Sequence, residues 1–342
     1  MTLLWNKLKS TDRPIVLYGM GNGADKMISE LEKIGKTPAA VFASDEFVRG
    51  QLFRGMKVLT FTQAKELYPD MIVAICFGSQ RPEVLDNVKR IADECEVITP
   101  DLPVIEGGVF DIDFCNANLQ KLEFIYNSLA DRQSKHTFEC VLRTKLSGDI
   151  KYLFDCQVDS LDIYKDIITF KNNETYVDLG AYRGDTVAEF LSQTKAFDKI
   201  YAVEPDIKNF SKLLDAYGNV ATCINAAASD SVGETTFSIE RGRSSHISTV
   251  GKTVNTVTVD SILDGAPATY IKLDVEGNEA RALDGATNTI TNHKPRLCVA
   301  AYHRFDDMIN IPLRVLRMRP DYKMYLRHFP YIPSWDTNYY FV

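Results

Sequence analysis

The stretch Tyr176-Val177-Asp178-Leu179-Gly180-Ala181-Tyr182-Arg183-Gly184-Asp185-Thr186 restricts what this chain can fold into more than any other. Tyr176 to Leu179 reads as a short buried strand. Val187, Ala188, Phe190 and Leu191 then recur as the inner face of a helix. Gly180 lets the backbone turn tightly off the strand, and Gly184 lets a ligand or a helix come close. Strand, glycine turn and helix make one half of a nucleotide-binding α/β unit. Asp178 stands at the carboxyl end of the strand, where open parallel sheets bind their ligands.

The chain after this unit repeats the alternation. Lys199 to Val203 is a second strand ending in Glu204-Pro205-Asp206. A carboxylate at that tip suits the hydroxyls of a ribose, because it accepts from both at once. Ala221 to Ile224 leads into Asn225-Ala226-Ala227-Ala228. These small residues leave room for a flat ring, which Asn225 is placed to hydrogen-bond. Thr269 to Leu273 is a strand interrupted by Lys272, followed by Asp274-Val275-Glu276-Gly277 and a helix from about Glu279. Lys272 either snorkels or reaches a site. Leu297 to Ala301 runs into Tyr302-His303, and two strands in succession, Tyr322 to Leu326 and Asn338 to Val342, close the chain. Thr235 to Ile239 and Asn255 to Val259 alternate like exposed strands. The basic loop between them offers Arg241 and Arg243 to an anionic substrate group, or is a solvated hairpin tip.

A smaller α/β module is expected over residues 1–110. Pro14 to Tyr18 is apolar, and Gly19-Met20-Gly21-Asn22-Gly23-Ala24 opens a helix with Met27, Ile28, Leu31 and Ile34 at helical spacing. Ala39 to Phe42 is the next strand, with Asp45 near its tip, roughly 20 residues past the glycines. Gly19, Gly21 and Asp45 are thus the residues of a possible nucleotide site; the alternative is a module that keeps the fold and docks a partner or the second domain. Amphipathic helices join the halves over 111–172, with Leu119, Leu122, Tyr126 and Leu129 on one face and Phe138, Val141, Leu142 and Leu146 on another. They cover the edge of the following sheet or wall a cleft.

Several function classes fall away on composition. A net charge of −7 does not favour a nucleic-acid partner. The seven cysteines are dispersed with no Cys-x-x-Cys pair, which points to reduced thiols and a cytoplasmic location. No apolar run approaches the ~20 residues of a membrane span. No compact ligand spacing supports a metal, and nothing sets an oligomeric state.

Taken together, Asp178-Leu-Gly-Ala with Gly184-Asp185-Thr186, then Val203-Glu204-Pro205, then Ile271-Lys272-Leu273-Asp274-Val275-Glu276-Gly277-Asn278-Glu279, then Gly285-Ala286, resemble the FkbM-family methyltransferases. Tyr302-His303 with Asp306-Asp307, and Tyr325-Leu326-Arg327-His328, look like that family's C-terminal blocks. Tyr182 stands where the generic glycine motif of class I methyltransferases has its middle glycine. The resemblance covers residues 173–342. It implies a seven-stranded, mostly parallel sheet with an antiparallel final hairpin beside the smaller Rossmann-like domain. It also implies S-adenosyl-L-methionine as cofactor, and a hydroxyl of a saccharide or other small metabolite as acceptor, as in polysaccharide biosynthesis.

Methyl transfer needs a held cofactor and a group that takes the acceptor's proton. The cofactor set is Asp178, Gly180, Tyr182, Gly184, Asp185, Thr186, Glu204, Pro205, Asn225 and Ala226. Asp178 is expected to reach the methionine end directly or through water, and Asp185-Thr186 to cap the helix facing it. Asp274, Glu276 and His303 are the catalytic candidates. Two other classes compete: a nucleotide-sugar oxidoreductase or transferase run by the N-terminal glycine loop, and a non-catalytic two-module scaffold. The first lacks a Tyr-x-x-x-Lys pair at suitable spacing.

Overall fold

The computed structural model describes residues 2–102, 104–105, 107–238, 246–247 and 251–342. Arg241 and Arg243 lie outside the described residues.

The first sheet is built from β1 (Ile15–Tyr18), β2 (Ala40–Phe42), β3 (Leu52–Phe53), β4 (Met56–Leu59), β5 (Ile72–Ile75) and β6 (Glu96–Ile98), in the order β3-β4-β2-β1-β5-β6. All neighbours are parallel except the β3–β4 hairpin. That hairpin turns on Arg54 and Gly55, both left-handed (φ 50° and 81°), the pairing a two-residue turn of this hand demands. Every residue of β1 and β5 is buried, so helices pack on both faces. The Asn22–Lys33 helix buries Ala24, Met27 and Leu31, and the Pro82–Glu94 helix buries Leu85, Val88 and Ile91. Pro82 suits the first turn, where its missing N–H leaves no bond unmade.

The second large sheet has β7 (Glu174–Leu179), β8 (Phe197–Val203) and β9 (Thr222–Ile224) on one side. A smaller four-stranded sheet follows in the chain: β10 (Ala227–Ala228), β11 (Gly233–Ser238), β12 (His246–Ile247) and β13 (Lys252–Val257). The helix at Val259–Leu263 starts where an extended strand was expected, because Thr258 caps it through Ser261 N. The large sheet then completes with β14 (Tyr270–Leu273), β15 (Arg296–Ala300), β16 (Met324–His328) and β17 (Thr337–Phe341). Its order is β16-β17-β15-β14-β7-β8-β9, parallel except for β17, which is antiparallel to both neighbours.

Alternation along β7 assigns the two faces. Val177 and Leu179 join a core with Phe110, Leu122, Ile125, Phe138 and Val141 from the connecting helices. Tyr176 faces the other way, with Phe190, Ile200 and Tyr270. The connector also grips β16: Leu326 N and Arg327 Nη1 donate to Ser134 Oγ at 3.0 and 2.7 Å, and Arg327 Nη2 donates to Asp131 at 2.6 Å.

The two large sheets are joined at the loop between β16 and β17. Ser79 and Ile332 exchange backbone hydrogen bonds of 2.8 and 3.0 Å. Lys145 Nζ donates to Asp101 Oδ2 at 2.7 Å and Ser334 Oγ to Asp101 Oδ1 at 3.2 Å, all three side chains buried. Gly78 lies under the Trp335 ring so closely that an added Cβ would be 2.2 Å from it.

Candidate active site

A cleft of about 690 Å³ opens over the Tyr176 face, at the carboxyl ends of β7, β8 and β14. Its floor follows from register. Asp178, Lys272, Cys298 and Tyr340 are paired in turn across β7, β14, β15 and β17, so their side chains share one face. Lys272, Cys298 and Tyr340 line the cleft; Asp178, with no exposed surface, lies behind them. Ser160, Ile163 and Tyr164 of the connector and Gly78, Gln80 and Val104 from the N-terminal side complete the wall.

One end of the cleft is the glycine turn. Gly180 has φ +83°, and a Cβ there would sit 1.9 Å from the Asp274 carbonyl oxygen. Only glycine lets this turn lie against the tip of β14. Gly184 is left-handed as well, and its missing side chain admits a helix: a Cβ would meet the Tyr217 ring at 2.3 Å. Tyr182 is left-handed (φ 49°), and its backbone N donates to Glu204 Oε2 at 3.0 Å while Asp206 N donates to Oε1 at 2.8 Å. Glu204 is thereby fixed at the tip of β8, with Pro205 beside it in the cleft wall.

Asp178 is on the cleft face of β7 but has no exposed surface; it accepts from Thr186 Oγ1 and lies 3.7 Å from Lys272 Nζ, so it holds Lys272 in place. Thr186 is spent on that bond and does not cap its helix, whose N-cap is Gly184; Asp185 opens the first turn and lines the cleft. Asn225 donates its amide to the Glu204 and Pro205 carbonyls at 2.8 and 3.1 Å, bracing the β8 tip, and neither it nor buried Ala226 lines the cleft. Ala227, Ala228 and Asn278 form that wall instead.

Charged groups gather at the other end. Lys272 Nζ is 3.7 Å from Asp274 Oδ2. Burial disfavours the ammonium, but Asp178 and Asp274 outweigh it and hold Lys272 charged. Tyr302 Oη donates to Asp274 Oδ1 at 3.1 Å. His303, 1% exposed, has Nε2 3.6 Å from Asp274 and 3.4 Å from Glu276, and Nδ1 2.9 Å from Glu279. Burial opposes its charge, yet the carboxylates of Glu279, Glu276 and Asp274 raise it to about 10. Burial would raise Asp274, but Lys272, His303 and the Tyr302 hydroxyl hold it below the ordinary carboxylate range. Glu276, left-handed at φ 52°, is pushed up to about 7, chiefly by burial. Sequence spacing assigns no role to Glu279 or Tyr302; the signals are their place after the tips of β14 and β15 and in the blocks that carry the family resemblance.

Gly19, Gly21 and Asp45 do not line this cleft. Gly19 packs its Cα side on Phe77, Gly21 is the N-cap of the Asn22–Lys33 helix, and Asp45 is exposed.

Glu204 carries a pH-dependent cost. Burial raises it to about 7, with the amides of Asp206 and Tyr182 pulling the other way. The unfolded chain ionises near the usual carboxylate value, so stability is lost as pH rises from there through about 7. Between about pH 5 and about pH 8, urea unfolding of Glu204→Gln is expected to shift relative to the parent in the variant's favour by up to about 3 kcal/mol. A pH-independent difference would contradict this.

Sheet order, the glycine turn after β7 and the acid at the tip of β8 define the fold of a class I methyltransferase. Residues 178–333 match the family model described as the methyltransferase FkbM domain. Methyltransferase FkbM from Methylobacillus flagellatus KT shares the fold over 96% of this chain and 90% of its own, with a TM-score of 0.73 and 24% identity. An rRNA methylase from Streptococcus thermophilus aligns with 53% of this chain and 92% of its own, at a TM-score of 0.35 and 12% identity. Fibrillarin from Aeropyrum pernix, solved with S-adenosyl-L-methionine, aligns with 53% of this chain and 72% of its own, at 0.33 and 13%. No curated protein matches the chain. Among the described residues no helix is long and apolar enough to cross a membrane.

Proposed function

We propose that the chain is an S-adenosyl-L-methionine-dependent methyltransferase acting on a hydroxyl oxygen of a saccharide. The observation that carries this reading is one cleft with the Glu204 tip at one end and the Asp274–Glu276–Tyr302–His303 group at the other. The residues fit the cofactor. Glu204 offers its remaining lone pairs to a ribose diol. Ala227, Ala228 and Asn278 leave a slot for a flat ring, and Asp185 and Lys272 bracket the space for an amino-acid end. When bound, the cofactor supplies a methyl group activated by a sulfonium.

The chain's own residues do the rest. Asp274, partly exposed to the cleft and oriented by the Tyr302 hydroxyl, holds the acceptor hydroxyl and takes its proton. His303, also in the cleft lining and surrounded by carboxylates, lies 3.6 Å from Asp274 and supports its charge. Trp335 and Tyr331 present apolar ring surface, and Gln80, Asp336 and Asn338 present polar groups, the mixture a sugar's two kinds of surface require. In this reading residues 1–110 are a docking module, 111–172 a connector and 173–342 the transferase.

Calorimetry of the full chain is expected to show binding of S-adenosylmethionine and S-adenosylhomocysteine. Glu204→Ala should lose about 1–3 kcal/mol of that affinity. Absence of heat with either compound on folded protein would sink the reading.

A further inference from the structure

We propose a divalent-cation site in the acceptor half of the cleft, formed by Asp274, Glu279 and His303 with Glu276 on its solvent side. The ion's role rests on the methyl-transfer reading; its presence does not.

The donors are brought together by tertiary structure. One oxygen each of Asp274 and Glu279 and one ring nitrogen of His303 lie within 4.8 Å of one another. Glu276 Oε2 lies 3.4 Å from His303 Nε2, the ring nitrogen that also faces Asp274, while Glu279 meets Nδ1, so Glu276 stands beside the set rather than adding to it through the same nitrogen. Ligand atoms around an ion bound at ~2.1 Å lie roughly 3 Å apart, so small side-chain rotations close the set. Asp274 is held in place by Tyr302, and Glu276, partly exposed, is free to make them.

A second observation points the same way. Glu279 is 1% exposed, and its Oε2 has no hydrogen-bond donor among the described residues. His303 Nδ1 is also buried without a well-aligned hydrogen bond, although Glu279 Oε1 is 2.9 Å away. A buried carboxylate oxygen left bare costs free energy that a cation removes.

Charge balance adds to this. Asp274, Glu276 and Glu279 converge here around His303. Against them stand Lys272 and the His303 ring. Arg304, next in the chain, directs Nε to the Gly277 carbonyl at 2.6 Å. Buried negative charge in excess is stable only when matched. Carboxylates with one imidazole suit Mn²⁺, Mg²⁺ or Zn²⁺. An ion here faces the cleft and would hold the acceptor hydroxyl and lower its pKa.

The test is titration of chelator-stripped full chain with Mn²⁺, followed by electron paramagnetic resonance, without cofactor. One saturable equivalent is expected. Asp274→Asn and His303→Gln should each weaken it at least about tenfold. His136→Gln, in a separate and more exposed His136–Cys140–Asp155 group, should not. Lack of saturable binding, or binding that survives both Asp274→Asn and His303→Gln, overturns the site. S-adenosylhomocysteine calorimetry in chelator, run on every variant, reports folding and tests the methyltransferase reading separately. Retained S-adenosylhomocysteine binding without Mn²⁺ binding removes the ion alone.

Discussion

Asp274→Asn is expected to slow single-turnover methyl transfer by roughly 10²–10⁴-fold, the share a positioned base supplies, while S-adenosylhomocysteine binds as in the parent. The substitution keeps size and most hydrogen bonds but removes the charge. Tyr302 orients Oδ1 and Lys272 stands 3.7 Å from Oδ2, so the side chain is fixed before an acceptor arrives. His303→Gln is the rival test. That ring is 1% exposed and hemmed in by carboxylates, so it reaches an acceptor less directly and its loss should cost less. If Asp274→Asn transfers at the parent rate and His303→Gln is slow, the base is His303 and Asp274 is structural. The loss is expected whether Asp274 takes the proton itself or holds a cation, and the Mn²⁺ titration separates those roles.

Gly180→Ala should cost about 3–5 kcal/mol of stability in urea unfolding and abolish S-adenosylhomocysteine binding. Two effects combine. A left-handed conformation costs a residue with a Cβ about 1–2 kcal/mol. The methyl group would also lie 1.9 Å from a main-chain oxygen that cannot yield without parting β7 from β14. Those tips carry the two ends of the cleft, so even a variant that folds would misplace them. Gly21→Ala is the control. Gly21 is extended at φ −141°, and a Cβ there meets nothing within 4 Å, so only the poorer N-cap counts and the change should stay below about 1 kcal/mol. A Gly180→Ala protein as stable as the control would refute the argument.

The parts of the site carried by local pattern were legible in the sequence. The apolar run before Gly180, the acid closing the next strand and the Asp274-Val-Glu-Gly turn each sit within a few residues of the strand that positions them, and the α/β class with two successive final strands followed from the alternation of elements. Roles that depend on where a side chain points were not. Thr186 looks like a helix cap, yet its hydroxyl turns to Asp178, a residue one strand end away. Asn225 has a free-looking amide until the β8 tip folds over it. The Glu279–His303 contact joins positions that no helical or strand period relates, and it forms only once β14 and β15 lie side by side. The pairing of Gly78 with Trp335 spans most of the chain, and neither residue hints at the other.

Asp101 lies just past the first sheet, Lys145 on a connecting helix and Ser334 in the loop between the last two strands, and they meet at one buried point. Swinging the sheets apart would strand a charge in the interior, at a cost of several kcal/mol, and would also break the Ser79–Ile332 pairing. The cleft between them is therefore not a jaw. Small molecules must come and go without a hinge between the two sheets, so the shape the cleft already has, about 690 Å³ in volume, limits how large an acceptor can be admitted.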